Sequence, residues 1–130
     1  MLKTGIEGRL ERTVTRELTA KSVGSGQLEV FATPALIALL EETAWRSVAE
    51  HLEEGQGTVG TRVEVEHLAA TPVGMKVWCE TRLIRTEGRK LEFEAVLGDE
   101  AGVIARGSHM RCIVDNLRFQ QKANEKAGSE

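Results

Sequence analysis

The chain has 130 residues, enough for one domain that buries about two thirds of its unfolded surface. Hydrophobic residues at 41% and charged residues at 28% are an ordinary globular balance. A net charge of −3, with no Tyr, 3 Phe and 2 Trp, leaves neither a basic footprint nor a base-stacking platform, which excludes nucleic acid as a partner.

No apolar run approaches the ~20 residues of a membrane span, and MLKTGIEGRLER lacks the apolar core of a secretory leader. Cys79 and Cys112 fall in strand-like segments without CxxC spacing, so they read as reduced residues of a cytoplasmic protein and not as a metal site.

Residues 9–19 (RLERTVTRELT) are rich in Thr and Val with loose alternation and predict a strand; KSVGSGQ then predicts a loop. Thr33-Pro34 has the grammar of a helix start, an N-cap hydroxyl followed by Pro at the first helical position. The helix is expected to run to about Glu53 and stop at Glu54-Gly55. Four segments of period two follow: 58–68, 75–86, 90–97 and 103–114. The middle two are joined by a turn at Glu87-Gly88, and the last is entered through GDEAG. The string GSHM at 107–110 resembles an expression-tag remnant, but it lies inside an alternating pattern and belongs to a strand.

Residues 115–130 become polar and aperiodic, so a domain over 1–114 followed by a frayed tail over 115–130 is expected. One long helix must bury its apolar face on a mostly antiparallel sheet, giving an α+β domain. A sheet wrapped around one central helix is the hotdog arrangement.

Two ionisable residues break this pattern. On a helical wheel started at Leu36, Leu40, Ala44, Ile37, Val48, Leu52 and Trp45 cover an arc from roughly 0° to 180°. Glu41 falls near ~140°, inside that arc, whereas Glu42 falls near ~240°, one turn before Arg46, as a solvated i, i+4 partner. In the strand that follows, Val63, Val65 and His67 share one face, and Arg62, Glu64 and Glu66 the other. Each inward residue has a bland reading: Glu41 pairs with a buried Arg, His67 is a satisfied core residue, and Thr33 is only a cap. Together they are a hydroxyl, a carboxylate and an imidazole, the inventory of a hydrolytic site, and the helix N-terminus beside Thr33 favours negative charge. His51, His109 and the Gly55/Gly57/Gly60 cluster are weaker signals, and no GxGxxG, Walker, HExxH or GxSxG motif is present.

The run from VFATPALIALLEE through GTVGTRVEVEHLAATPVG, with RTEGRKLEFE and GSHMRCIV beyond it, resembles the family of the bacterial fluoroacetyl-coenzyme A thioesterase, small hotdog-fold acyl-CoA thioesterases. Its most specific parts are FAT–x7–E and GT–x5–H–x–AATP. The resemblance implies that Thr33, Glu41 and His67 are the catalytic residues. It also implies that Gly60 and Arg111 line the acyl end of the pocket, that no metal or cofactor is needed, and that the chain is a homodimer. The family's selective member carries a longer insertion before FAT, with phenylalanines forming a lid. Here that region is SVGSGQLEV, without an aromatic until Phe31, so the expectation is a general short-acyl thioesterase.

On that expectation Glu41 attacks the thioester carbonyl or activates water, His67 moves protons, and Thr33 orients the carboxylate or the thioester. The rival reading is a hotdog module that holds acyl-CoA without hydrolysing it. Hydration of an enoyl thioester is a third, and it would use a His–Asp pairing that the chain does not show.

Overall fold

Five strands, β1 (Glu7–Thr13), β2 (Gln56–His67), β3 (Lys76–Glu87), β4 (Lys90–Asp99) and β5 (Gly102–Asp115), form one antiparallel sheet in the order β1-β3-β4-β5-β2. Among the described residues there are also three α-helices: α1 (Ala20–Val23), α2 (Thr33–Ala49) and α3 (Asn116–Glu125). The computed structural model describes residues 2–128. This is the α+β hotdog arrangement, with the last four strands within two residues of their expected bounds. Among the described residues, no helix is long and apolar enough to cross a membrane.

The core lies between α2 and one face of the sheet. Leu36, Leu39, Leu40, Ala44 and Val48 of the helix are buried against Val77, Cys79 and Leu83 of β3 and Phe93, Ala95 and Leu97 of β4. Each large side chain so buried contributes about 1.5–3 kcal/mol. The buried arc of α2 also takes in Leu39 and Thr43, while Trp45 is 40% exposed. The apolar stripe is thus rotated from the expected one, and Glu41 lies at its edge.

Several expectations are corrected. The first strand ends at Thr13, where Val14 N–H turns to bond the Met75 carbonyl and the chain enters a 3-10 turn at Arg16–Leu18. The expected loop contains α1, capped by the Thr19 hydroxyl and ended by Gly24 at φ 91°. The long helix stops at Ala49, short of Glu53. The polar residues after Asp115 form α3 where a frayed tail was expected, its first N–H bonding the Gly55 carbonyl at 2.9 Å; Ser129 and Glu130 lie outside the described residues.

Candidate active site

Thr33 is the first residue of α2 and does not cap it. The N-cap position is Ala32, and no side chain bonds the first-turn N–H groups; Pro34 removes one donor that would need a partner. The Thr33 hydroxyl turns instead to His67, with Oγ1 2.8 Å from Nδ1.

Backbone bonds hold the two residues in register. Phe31 N–H donates to the Thr71 carbonyl at 2.8 Å, and Leu68 N–H to the Ile104 carbonyl at 2.7 Å. The buried Thr71 hydroxyl in turn donates to Asp99 Oδ2 at 2.7 Å, fixing the loop between them. Nothing in the sequence pattern singles out that Thr–Asp pair, because both residues sit in turn-rich segments.

His67 points from β2 toward the helix side, as its alternation predicts. Its Nε2 is buried and meets no hydrogen-bond partner among the described residues. Burial pushes its pKa below the ordinary 6.5, with the Ala69 backbone pulling the other way. The ring is therefore neutral near pH 7, with one nitrogen engaged by Thr33 and the other unpartnered. A cleft of about 300 Å³ opens here, lined by Val30, Phe31, Thr33, His67, Leu68 and Ala70.

Glu41 belongs to a second cluster. Its Oε2 accepts from Arg111 Nη1 at 3.1 Å and lies 4.0 Å from His109 Nε2. Arg111 is 6% exposed and also donates through Nε to the Thr58 hydroxyl at 2.7 Å and through Nη2 to the Thr58 carbonyl at 3.0 Å. Glu41 is not fully turned inward, since its side chain keeps 40% of its exposure. The guanidinium is desolvated, which lowers its pKa, and the Glu41 charge opposes that shift. Arg111 stays protonated, because the guanidinium pKa starts far above neutrality.

Gly60 makes room for this carboxylate: a Cβ there would overlap Glu41 Oε2. The β2–β5 register shifts between Gly60 and Arg62, a bulge at Thr61. The extra residue reverses the side-chain parity, so Thr58 and Gly60 face the helix side together with Val63, Val65 and His67. The bulge is invisible to a parity count, and Thr58 escapes sequence reasoning for that reason.

The structure thus brings Thr33 to His67, and Gly60 and Arg111 to Glu41, but it does not bring the two groups together within one chain. Thr33 and Glu41 lie about 12 Å apart along the helix axis.

Glu42 is outside both clusters, bridging Arg12 at 2.7 Å and Arg46 at 2.8 Å. His51 is exposed beyond the end of α2. Cys79 is buried with its thiol pKa pushed up to about 11, too high for a nucleophile. Among the described residues no group of His, Cys, Asp and Glu could hold a metal. A larger depression of about 460 Å³ lies on the solvent face of β1, β3 and β4, lined by Glu7, Arg9, Glu80, Arg82 and Glu94. It holds opposed surface charges and no imidazole or thiol, so the chemistry and not the volume locates the site.

Known proteins resemble this chain in sequence and in fold. The family described as fluoroacetyl-CoA-specific thioesterase matches residues 14–117. The fluoroacetyl-CoA thioesterase of Streptantibioticus cattleyicolor is 37% identical over 98 residues, 75% of this chain and 70% of that protein. A solved structure of the fluoroacetyl-CoA thioesterase FlK superposes with a TM-score of 0.91 at 30% identity, covering 97% of this chain and 98% of that one. A hypothetical protein of Thermus thermophilus, described as a thioesterase superfamily member, superposes with a TM-score of 0.89 at 27% identity, covering 100% and 98%.

Proposed function

This chain belongs to the fluoroacetyl-CoA-specific thioesterase family, and from that premise we propose that it hydrolyses short-chain acyl-CoA thioesters through Thr33, Glu41 and His67. The observation that carries the reading is the Thr33–His67 hydrogen bond at 2.8 Å, beside a cleft of about 300 Å³. A hydroxyl that could have capped its helix is committed to an imidazole. That neutral imidazole can take a proton from water and return it to the departing CoA thiolate. Thr33 fixes the ring and orients the thioester.

Glu41 supplies the remaining function. As a nucleophile it forms a mixed anhydride with the acyl group, expelling CoA thiolate, and water then cleaves the anhydride. As a base it delivers water to the carbonyl in one step. Single-turnover hydrolysis in oxygen-18 water tests the first route, because label in the Glu41 carboxylate requires an anhydride cleaved at the Glu41 carbonyl and direct attack of water on the thioester never places it there.

The site is completed by a second copy. β2 is an edge strand whose stretch from Gly60 to Glu66 is largely uncovered. Antiparallel pairing of two such edges about Val63 sets Arg62 of one copy opposite Glu64 of the other, a complementary register. The same register sets Gly60, with Glu41 against it, opposite Glu66 of the other copy, one residue from its His67. Glu41 of one chain thereby joins Thr33 and His67 of the second. A homodimer also covers the open edge and the half-exposed carboxylate. The free thiols Cys79 and Cys112 fit a reducing, cytoplasmic setting.

Purified protein incubated with an acyl-CoA panel, fluoroacetyl-CoA included, and a thiol reagent tests the reading. Thiol release from the shortest acyl groups is expected. Binding without release would replace the enzyme by the acyl-CoA-holding module.

A further inference from the structure

His109 is a fully buried histidine on β5 that the proposed chemistry does not use. Its Nδ1 lies 2.8 Å from the Arg62 carbonyl, which can only accept, so Nδ1 carries the proton. In the neutral ring Nε2 is then a lone-pair acceptor. Arg111 Nη1, which can only donate, lies 3.0 Å from it. The same Nη1 donates to Glu41 Oε2 at 3.1 Å.

We propose that His109 is a positioning residue for Glu41, acting through Arg111: locked as the Nδ1–H tautomer by the bulged strand, it fixes the guanidinium that aims the carboxylate. Thr58 holds the Nε and Nη2 side of the fork, and His109 holds Nη1 from behind. With both sides held, the remaining Nη1 hydrogen has one direction left, toward Glu41. A protonated ring would turn an N–H toward the guanidinium, so the arrangement requires the neutral form. Burial and the neighbouring Arg111 charge push the His109 pKa down, in agreement, while Glu41 and the Arg62 carbonyl pull it up. The Phe93 ring, 6.2 Å away centre to centre, closes the apolar side.

The proposal rests on Glu41 being the acting carboxylate, and the experiment keeps the two claims apart. Asn at 109 can still donate to the Arg62 carbonyl but leaves no acceptor for Nη1; Gln can place an amide oxygen where Nε2 stands. H109N is expected to lower kcat by about tenfold to a hundredfold, the scale of a small misplacement in a reacting group, with KM nearly unchanged. H109Q is expected to stay within about threefold of wild type. In an R111Q background, H109N should cost nothing more, since its effect passes through Arg111. Equal damage from Asn and Gln, or a full additional loss in R111Q, overturns the proposal. Nitrogen NMR of wild-type protein labelled at histidine reads the tautomer without any variant: Nδ1–H is expected, and a proton on Nε2 overturns it. An active E41Q would sink the reading of the site. An inert E41Q beside an H109N of wild-type kcat would sink only the role of His109.

Discussion

The Thr33 hydroxyl lies 2.8 Å from His67 Nδ1, across 34 residues of sequence, and caps nothing. That separates the residue's chemistry from its helix. T33S keeps the bond and is expected to retain most activity. T33V keeps the shape, so its melting temperature should stay within a few degrees of wild type, while kcat/KM falls at least about tenfold, the equivalent of ~1.4 kcal/mol. A T33V protein that melts far below wild type would show that the hydroxyl supports the fold.

The two adjacent carboxylates should differ sharply. E41Q is expected to abolish thiol release. E42Q should leave kcat/KM unchanged and cost about 0.5–1 kcal/mol of stability for its two surface pairs. Glu42 has its pKa lowered, chiefly by the Arg46 hydrogen bond and then by Arg12. Its pairs therefore persist across neutral pH and are lost only as acid carries the pH down through that lowered value. Equal activity in E41Q and E42Q would reverse the assignment.

Gly60 tests the close approach. Its backbone tolerates Ala, but the added Cβ would displace Glu41 from beside Arg111. G60A is expected to approach E41Q in kcat with only a modest drop in melting temperature. Wild-type turnover in G60A would mean that the position of the carboxylate against β2 is immaterial.

How far the sequence carries depends on the scale of the pattern. Alternation located four strands within two residues, because one face of each is buried and a slip would expose it. It also turned His67 inward and Arg62, Glu64 and Glu66 outward. The wheel placed Glu41 within a stripe whose true centre is rotated toward Leu39 and Thr43, since the sheet packs against one flank of α2 and leaves Trp45 open. The Thr33-Pro34 grammar suggested a cap; a partner 34 residues away outcompeted it. Residues 116–125 lack an apolar period, yet form a helix that buries none of its residues. The bulge at Thr61, which brings Thr58 and Gly60 onto the site's face, depends on strand pairing that no local pattern encodes.

The pH dependence carries a sign for each environment. In the single chain, burial holds His67 below 6.5; a carboxylate from a second copy would move it up. Proton NMR of His67 should therefore give a lower midpoint in E41Q than in wild type. In wild type, kcat/KM should fall as the pH drops through that midpoint, because the acting form is neutral. H67A should lose about 10²–10⁴-fold at the plateau. Identical midpoints in the two proteins would place Glu41 away from the imidazole.

Mixing two inactive variants tests the shared site most directly. E41Q and H67A protomers are unfolded together and refolded as a one-to-one mixture. If Glu41 of one chain serves His67 of the other, each mixed dimer holds one site with both defects and one intact site. Half of the dimers are mixed, so about a quarter of wild-type activity should return. If Glu41 and His67 act within one chain, every site carries one defect, and a mixture as inert as its parents would contradict the account.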